Sequence, residues 1–155
     1  MRLRHFVCLF GLSVFLGASL ASAGLKPAQV KAKMESEKGA MAELAAMNKL
    51  CGSKVEATMD FSKWGGDWST WTPSKPGDIC GHVMQGVEAL CRDAAYKPAV
   101  AENLKKIECS CDGTTDPVQK NLSYSGGTIH FKMNVKHDNS ATLESQHFLA
   151  AELNK

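Results

Sequence analysis

Hydrophobic residues from Pro27 to Leu50 recur at steps of three and four, with charged residues between them. This spacing predicts an amphipathic helix. Over Lys54–Phe61 the period changes to two, which predicts a half-buried strand. A second helix is predicted over about 79–95, with Asp78 as its N-cap. A shorter third helix is predicted from Pro98 to about Lys106, because proline is well suited to a first helical position.

The rest of the chain has mainly the pattern of strands. Apolar and polar residues alternate over 107–112, and the stretches 119–124 and 128–135 flank the turn pair Gly126–Gly127, which predicts a hairpin. A last helix is predicted to begin at Asn139 or Ser140 and to end near Leu153. The order of these elements predicts an α+β domain. In it, helices pack on one face of a small antiparallel sheet of about four strands.

The first 23 residues have the pattern of a secretory signal peptide. A basic start precedes an apolar stretch from Phe6 to Leu20, and the small residues Ala21–Ala23 follow as a cleavage site. Cleavage would leave 24–155 as a single secreted domain. Segment 24–52 is rich in alanine and is predicted to be a loosely docked helix. No later stretch is apolar for long enough to predict a membrane span, so the expected location is secreted or periplasmic.

The charge balance bears on the class of partner. The chain has 18 basic and 16 acidic side chains, which gives a formal charge of +2. Arg2 and Arg4 lie in the predicted leader, so the mature chain is expected to be neutral. Nucleic-acid binding requires a basic face, and nucleic acid is therefore not predicted as a partner.

Cysteines are the clearest chemical feature of the mature chain. Cys8 lies in the predicted leader, and in an oxidising compartment the others are expected to form disulfides rather than zinc sites. An odd number predicts two bridges and one remaining thiol. The five disulfide candidates are Cys51, Cys80, Cys91, Cys109 and Cys111.

Spacing limits how these cysteines can pair. Cys80 and Cys91 are 11 residues apart on one predicted helix, which separates them by about 16 Å, too far for a bridge. The favoured pairing joins Cys91 to Cys109, and Cys51 to either Cys80 or Cys111. A second hypothesis treats Cys109 and Cys111 as a reactive pair in a thiol–disulfide or metal-handling protein.

Three tryptophans fall within eight residues of a segment rich in glycine and proline. Trp64, Trp68 and Trp71 are candidate binding residues, because tryptophan is enriched where proteins contact ligands and partners. The alternative is that these side chains fold back and cover one end of the sheet.

Motifs for catalysis are missing from the sequence. There is no HExxH, no G-x-S-x-G and no phosphate-binding loop, so no catalytic residue, metal ligand or cofactor is assigned. Ser125 precedes two glycines and is interpreted as a turn residue rather than a nucleophile. The histidines His82, His130, His137 and His147 are interpreted as surface or hydrogen-bonded side chains.

The main hypothesis is therefore a small secreted or periplasmic, disulfide-stabilised binding protein without enzymatic activity. Its partner would be an unknown protein or small ligand. The thiol–disulfide or metal-handling role is the second hypothesis, and a small hydrolase with scattered active-site residues is the third.

Overall fold

A computed structural model of the chain describes residues 25–64, 75–111, 121–133 and 141–155. The predicted leader lies outside these ranges. Within them the helices are α1 (Pro27–Cys51), α2 (Pro76–Cys91), α3 (Lys97–Asn103) and α4 (Ala141–Leu153). None of these four helices is both long enough and apolar enough to cross a membrane.

The strands form one four-stranded sheet. They are β1 (Glu56–Asp60), β2 (Lys106–Cys111), β3 (Leu122–Ser125) and β4 (Thr128–Met133), and their order across the sheet is β1-β2-β4-β3. The predicted α+β class, with four strands and helices packed on one face, is confirmed.

The predicted antiparallel arrangement is wrong for most of the sheet. β1 pairs with β2 in parallel, β2 pairs with β4 in parallel, and only the β3–β4 hairpin is antiparallel. The helices α2 and α3 return the chain to the end of the sheet where β1 begins, and such a helical crossover makes the next strand parallel. β4, and not β3, then lies beside β2, so the hairpin places β3 at the edge.

The connection from α1 to β1 is fixed by local hydrogen bonds. Pro27 occupies the first turn of α1, and Gly52 ends the helix in the left-handed region with φ of 69°, a conformation that glycine adopts without steric cost. The Asn48 amide donates to the Val55 carbonyl at 2.8 Å, and its oxygen accepts the Val55 N–H at 2.8 Å. The start of β1 is thereby held against the last turns of α1.

α1 is buried unevenly along its length. Ala40, Leu44 and Met47 are buried in the core, whereas Val30 and Met34 are 37% and 64% exposed. α1 packs mainly against α2. The C-terminal half of α1 therefore belongs to the core, and its N-terminal turns leave apolar side chains at the surface.

Glycines allow α2 to approach its neighbours closely. A Cβ atom at Gly77 would lie 2.3 Å from the main-chain oxygen of Ser36, and a Cβ atom at Gly86 would lie 2.1 Å from Ser145 Oγ. Both distances are too short for any larger residue. Because glycine has no side chain, these two positions determine how closely α1 and α4 approach α2.

The predicted N-cap of α2 is wrong. The helix begins at Pro76, with Lys75 in the capping position, and Asp78 lies in its first turn. Proline has no N–H that would need a hydrogen-bond partner at the first helical position, and the helix starts three residues earlier than the spacing predicts. The Asp78 carboxylate instead accepts a hydrogen bond from Ser36 Oγ at 3.3 Å.

Two disulfides connect the elements, and both predicted pairings are wrong. The bonds join Cys51 to Cys91 and Cys80 to Cys109, while Cys111 is buried and lies in neither bond. α1 and α2 run in the same direction, so their last residues Cys51 and Cys91 meet. Cys80, near the start of α2, then faces the middle of β2. Two disulfides in a small domain fit an oxidising, non-cytoplasmic compartment.

Candidate functional site

The two faces of the sheet have different chemistry. In β2 the side chains of Ile107, Cys109 and Cys111 are buried towards the helices, and the alternate residues point to the other side. That other side, here called the open face, has exposed or half-buried polar side chains from all four strands. The open face consists of Glu56, Thr58, Asp60, Lys106, Glu108, Ser110, Ser123, Ser125, Thr128, His130 and Lys132.

Strand register brings four of these side chains into one hydrogen-bonded chain. Glu108 on β2 lies opposite His130 on β4, and the distance from Glu108 Oε2 to His130 Nδ1 is 2.8 Å. Lys106 Nζ donates to Glu108 Oε1 at 2.6 Å. On the other side of the imidazole, Ser125 Oγ lies 3.3 Å from His130 Nε2. The open face therefore contains an ordered array of lysine, carboxylate, imidazole and hydroxyl.

The carboxylate is the electrostatic centre of this array. Hydrogen bonding and the positive charge of Lys106, with a smaller contribution from His130, hold the pKa of Glu108 below its usual range. Glu108 therefore stabilises the fold above its unfolded pKa, and this contribution is lost as the pH falls through its lower folded pKa.

The role of Lys106 can be tested by titration. In Lys106→Met, we expect the pKa of Glu108 to rise towards the ordinary glutamate value, because both the hydrogen bond and the charge are removed. Carbon-13 NMR of the Glu108 carboxyl group measures this pKa directly. Lys105→Met is the matched control, because Lys105 is adjacent and exposed but does not bond to Glu108. A pKa that is equal in wild type and Lys106→Met would contradict the described geometry.

Two other groups near the sheet have shifted pKa values. Hydrogen bonds from Ser62, including its main-chain N–H at 3.0 Å, lower the pKa of Asp60. Partial burial raises the pKa of the Tyr124 hydroxyl, which donates to the Asn103 carbonyl at 3.1 Å. Tyr124 lies on the helix side of β3 and does not extend the polar array. Asp60 lies on the open face, but its described hydrogen bonds come from Ser62 and not from a member of the array.

Only part of the tryptophan segment lies in the described residues. Trp64 is half-buried and packs against the hydrophobic core just after β1. Trp68 and Trp71 lie outside the described ranges. The assignment of the three tryptophans as binding residues remains a prediction.

The proposed Cys109–Cys111 redox pair is not formed. Cys109 is bonded to Cys80, and Cys111 is a buried thiol two residues further along the same face of β2. The structure thus gives Cys109 a structural role, in which it ties the sheet to α2.

Another polar group of side chains lies between α1 and α2. Glu43, Asp78, His82 and Gln85 line a cleft of about 150 Å³, and His82 Nδ1 is buried without a hydrogen-bond partner. Within the described ranges, no three His, Cys, Asp or Glu side chains are grouped as metal ligands. The cleft is too small for a substrate of ordinary size.

Comparisons with protein families, curated proteins and solved structures find no match for this chain. Its function therefore has to be argued from its own geometry. The largest organised set of polar side chains in the described residues is the array on the open face.

Sequence reasoning did not bring this array together. The period-two pattern assigns His130 to the polar side of its strand, and the double glycine correctly marks the turn after Ser125, where φ is 56° and 81° at Gly126 and Gly127. The partner of His130 on β2 depends on parallel pairing, which the pattern within one strand does not reveal.

Proposed function

We propose that this chain is a secreted, disulfide-stabilised binding protein and that its partner is another protein, which contacts the open face. The observation that supports this most directly is the ordered polar array on a sheet face whose side chains are exposed or half-buried. Lys106, Glu108 and His130 are held by one another, so a partner would meet a surface that is already arranged.

The shape of this surface favours a protein over a small molecule. Small-molecule sites are concave, and two clefts formed by described residues lie along α1 and between α1 and α2, away from the open face. Both acidic and basic side chains are present on the face, which suits a mixed protein surface better than a phosphate backbone.

The size of the open face bears on the strength of binding. Four strands at about 4.8 Å spacing, with about five residues each at roughly 3.3 Å, span an area on the order of 300 Å². A stable interface buries about 800 Å² on each partner. The open face alone would support only a weak contact, so we propose that Trp64, Trp68 and Trp71, which follow the exit of β1, enlarge it.

Site-specific photo-crosslinking tests this proposal in cells that make the protein. A benzophenone amino acid at Thr58 or at Trp68 should give an adduct of one discrete mass. The same amino acid at Glu102, an exposed position on α3, is the control and should not give that adduct. The purified partner should then bind the wild-type chain and lose at least tenfold in affinity for Lys132→Glu.

Two outcomes would overturn the proposal. One is an equal yield of the adduct from Glu102 and Thr58, which would mean that contact is unspecific. The other is a purified partner whose affinity is unchanged by Lys132→Glu and by substitution of Thr58 with arginine, which would place its binding site on a different surface.

A further inference from the structure

Part of the polar array has the order of groups that activates a serine hydroxyl. His130 Nδ1 is 2.8 Å from the Glu108 carboxylate, and a ring nitrogen in that position carries the proton that it donates. His130 Nε2 then has a free lone pair and lies 3.3 Å from Ser125 Oγ. In this spatial order the serine is the nucleophile, the imidazole is the general base, and the carboxylate orients the imidazole.

The fold holds these groups on rigid elements. Glu108 and His130 are register partners on the two central strands. Ser125 is the last residue of β3 and is joined to β4 by the two-residue turn of Gly126 and Gly127. Lys106 bonds to the second oxygen of Glu108, which leaves Oε2 directed at the imidazole. The three groups are thus positioned by strand pairing and do not depend on a long loop.

We propose that Ser125 and His130 are the catalytic residues of an acyl-transfer site for short-chain esters, with Glu108 as the positioning residue. This activity goes beyond the proposed binding function. It would explain why a serine that the sequence marks only as a turn residue has an imidazole partner that is itself anchored by a carboxylate.

Hydrolysis of an ester at this site needs only Ser125, His130 and one water molecule. Ser125 Oγ forms a bond to the ester carbonyl carbon while His130 Nε2 takes the hydroxyl proton. The tetrahedral intermediate collapses, the bond from carbonyl carbon to leaving oxygen breaks, and Nε2 returns the proton to that oxygen as the alcohol departs. Water then attacks the acyl-serine with His130 again as base, which releases the carboxylic acid and restores the Ser125 hydroxyl.

The solvent exposure of the three side chains limits both the class of substrate and the rate of the reaction. Ser125 is exposed, and the His130 and Glu108 side chains are each 39% exposed. A flat face cannot enclose a small molecule and hold it tightly, so we expect turnover only of small acyl groups on accessible esters, with weak substrate binding. General-base activation contributes about 10²–10⁴-fold, and we expect the effect of the array to lie within that range.

The first experiment uses the oxidised chain and p-nitrophenyl acetate as the probe. Nitrophenolate release above the uncatalysed rate should fall at least about 100-fold in Ser125→Ala and in His130→Gln, and mass spectrometry should find the acetyl group on Ser125. Ser62→Ala is the control. Ser62 is an exposed serine just after β1, it lies outside the open face, and its described hydrogen bonds go to Asp60 and not to His130.

Several results would overturn the proposal. They are acetyl groups located on lysines and not on Ser125, release that is unchanged in Ser125→Ala, and release that falls equally in Ser62→Ala. Thermal midpoints of all variants separate these results from misfolding. If His130→Gln unfolds, labelling of the wild-type chain by a fluorophosphonate still decides the matter, since that reagent should modify Ser125 in wild type and leave Ser125→Ala unlabelled.

Glu108 is tested by the rate of acylation and by rescue with the conservative variant. The charged groups that face the imidazole are Glu108 and Lys106 on β2 and Lys132 on its own strand, while β3 presents the hydroxyls of Ser123 and Ser125. In Glu108→Gln, the rate of Ser125 acylation should fall at least about tenfold with little change in the thermal midpoint, because an amide no longer fixes the ring tautomer that leaves Nε2 able to accept a proton. Glu108→Asp keeps the carboxylate and should recover part of the rate. Equal rates in Glu108→Gln and wild type would show that Glu108 has only a structural role.

Discussion

Replacing Cys51 and Cys91 together with alanine is expected to lower the free energy of unfolding by about 4 kcal/mol. The bond closes a loop with a sequence separation of 40 residues, and removing a link of that length returns about this much conformational freedom to the unfolded chain. Domains of this size are stabilised by only about 5–15 kcal/mol in total. We therefore expect the thermal midpoint to fall by roughly 15 °C.

Equilibrium unfolding in urea, followed by circular dichroism, measures this loss. Cys111→Ser is the control, because it removes a buried cysteine but leaves both bonds in place. The double variant should be clearly less stable than this control, and the wild-type chain treated with reductant should lose at least as much stability. A double variant as stable as Cys111→Ser would mean that Cys51 and Cys91 are not joined in solution.

The second large effect is expected for Gly86→Ala, which should destabilise the domain by about 3 kcal/mol. The new methyl group would lie 2.1 Å from Ser145 Oγ and 2.4 Å from the main-chain oxygen of Thr142. Rotating the serine relieves only the first contact, so α4 must move away from α2. Overpacking of this kind costs about 1–3 kcal/mol, and displacement of a main-chain oxygen places Gly86 at the upper end.

Gly39→Ala is the matched control, and its effect should have the opposite sign. Gly39 is also helical, but a Cβ atom there would have nothing within 4 Å. The substitution should stabilise α1 by about 0.5–1 kcal/mol, because alanine loses less backbone entropy than glycine in a helix. The same unfolding measurement compares both variants. If Gly86→Ala were as stable as Gly39→Ala, the close approach of α2 and α4 would be contradicted.

Element type could be predicted from the sequence because it is decided locally. The three-and-four spacing from Pro27 and the alternation through Ile107, Cys109 and Cys111 report which side of an element is buried, and each correctly predicts its helix or strand. Strand direction depends on the path of the connections. The pattern inside β2 is the same whether its neighbour is parallel or antiparallel, so the sheet was predicted with the wrong directions.

For the same reason, the disulfide pairing and the polar array could not be predicted from the sequence. Helix geometry alone excludes a bond between Cys80 and Cys91, and the structure agrees. The choice of actual partners requires knowing that α1 and α2 run in the same direction. Likewise, Glu108 and His130 are 22 residues apart in the sequence and meet only because β4 takes the place beside β2.

The order of the two bonds along the chain has a consequence for proteolysis. Cys80 lies between Cys51 and Cys91, and Cys91 lies between Cys80 and Cys109, so the two covalent loops overlap. A single peptide-bond cleavage anywhere between Cys51 and Cys109 leaves the fragments attached through at least one bond. A cleavage between Cys111 and Leu122 leaves β3, β4 and α4 with no covalent link to the rest, although β4 remains hydrogen-bonded to β2 until the chain is denatured. On a denaturing, non-reducing gel the nicked chain should therefore run as one species in the first case and as two in the second.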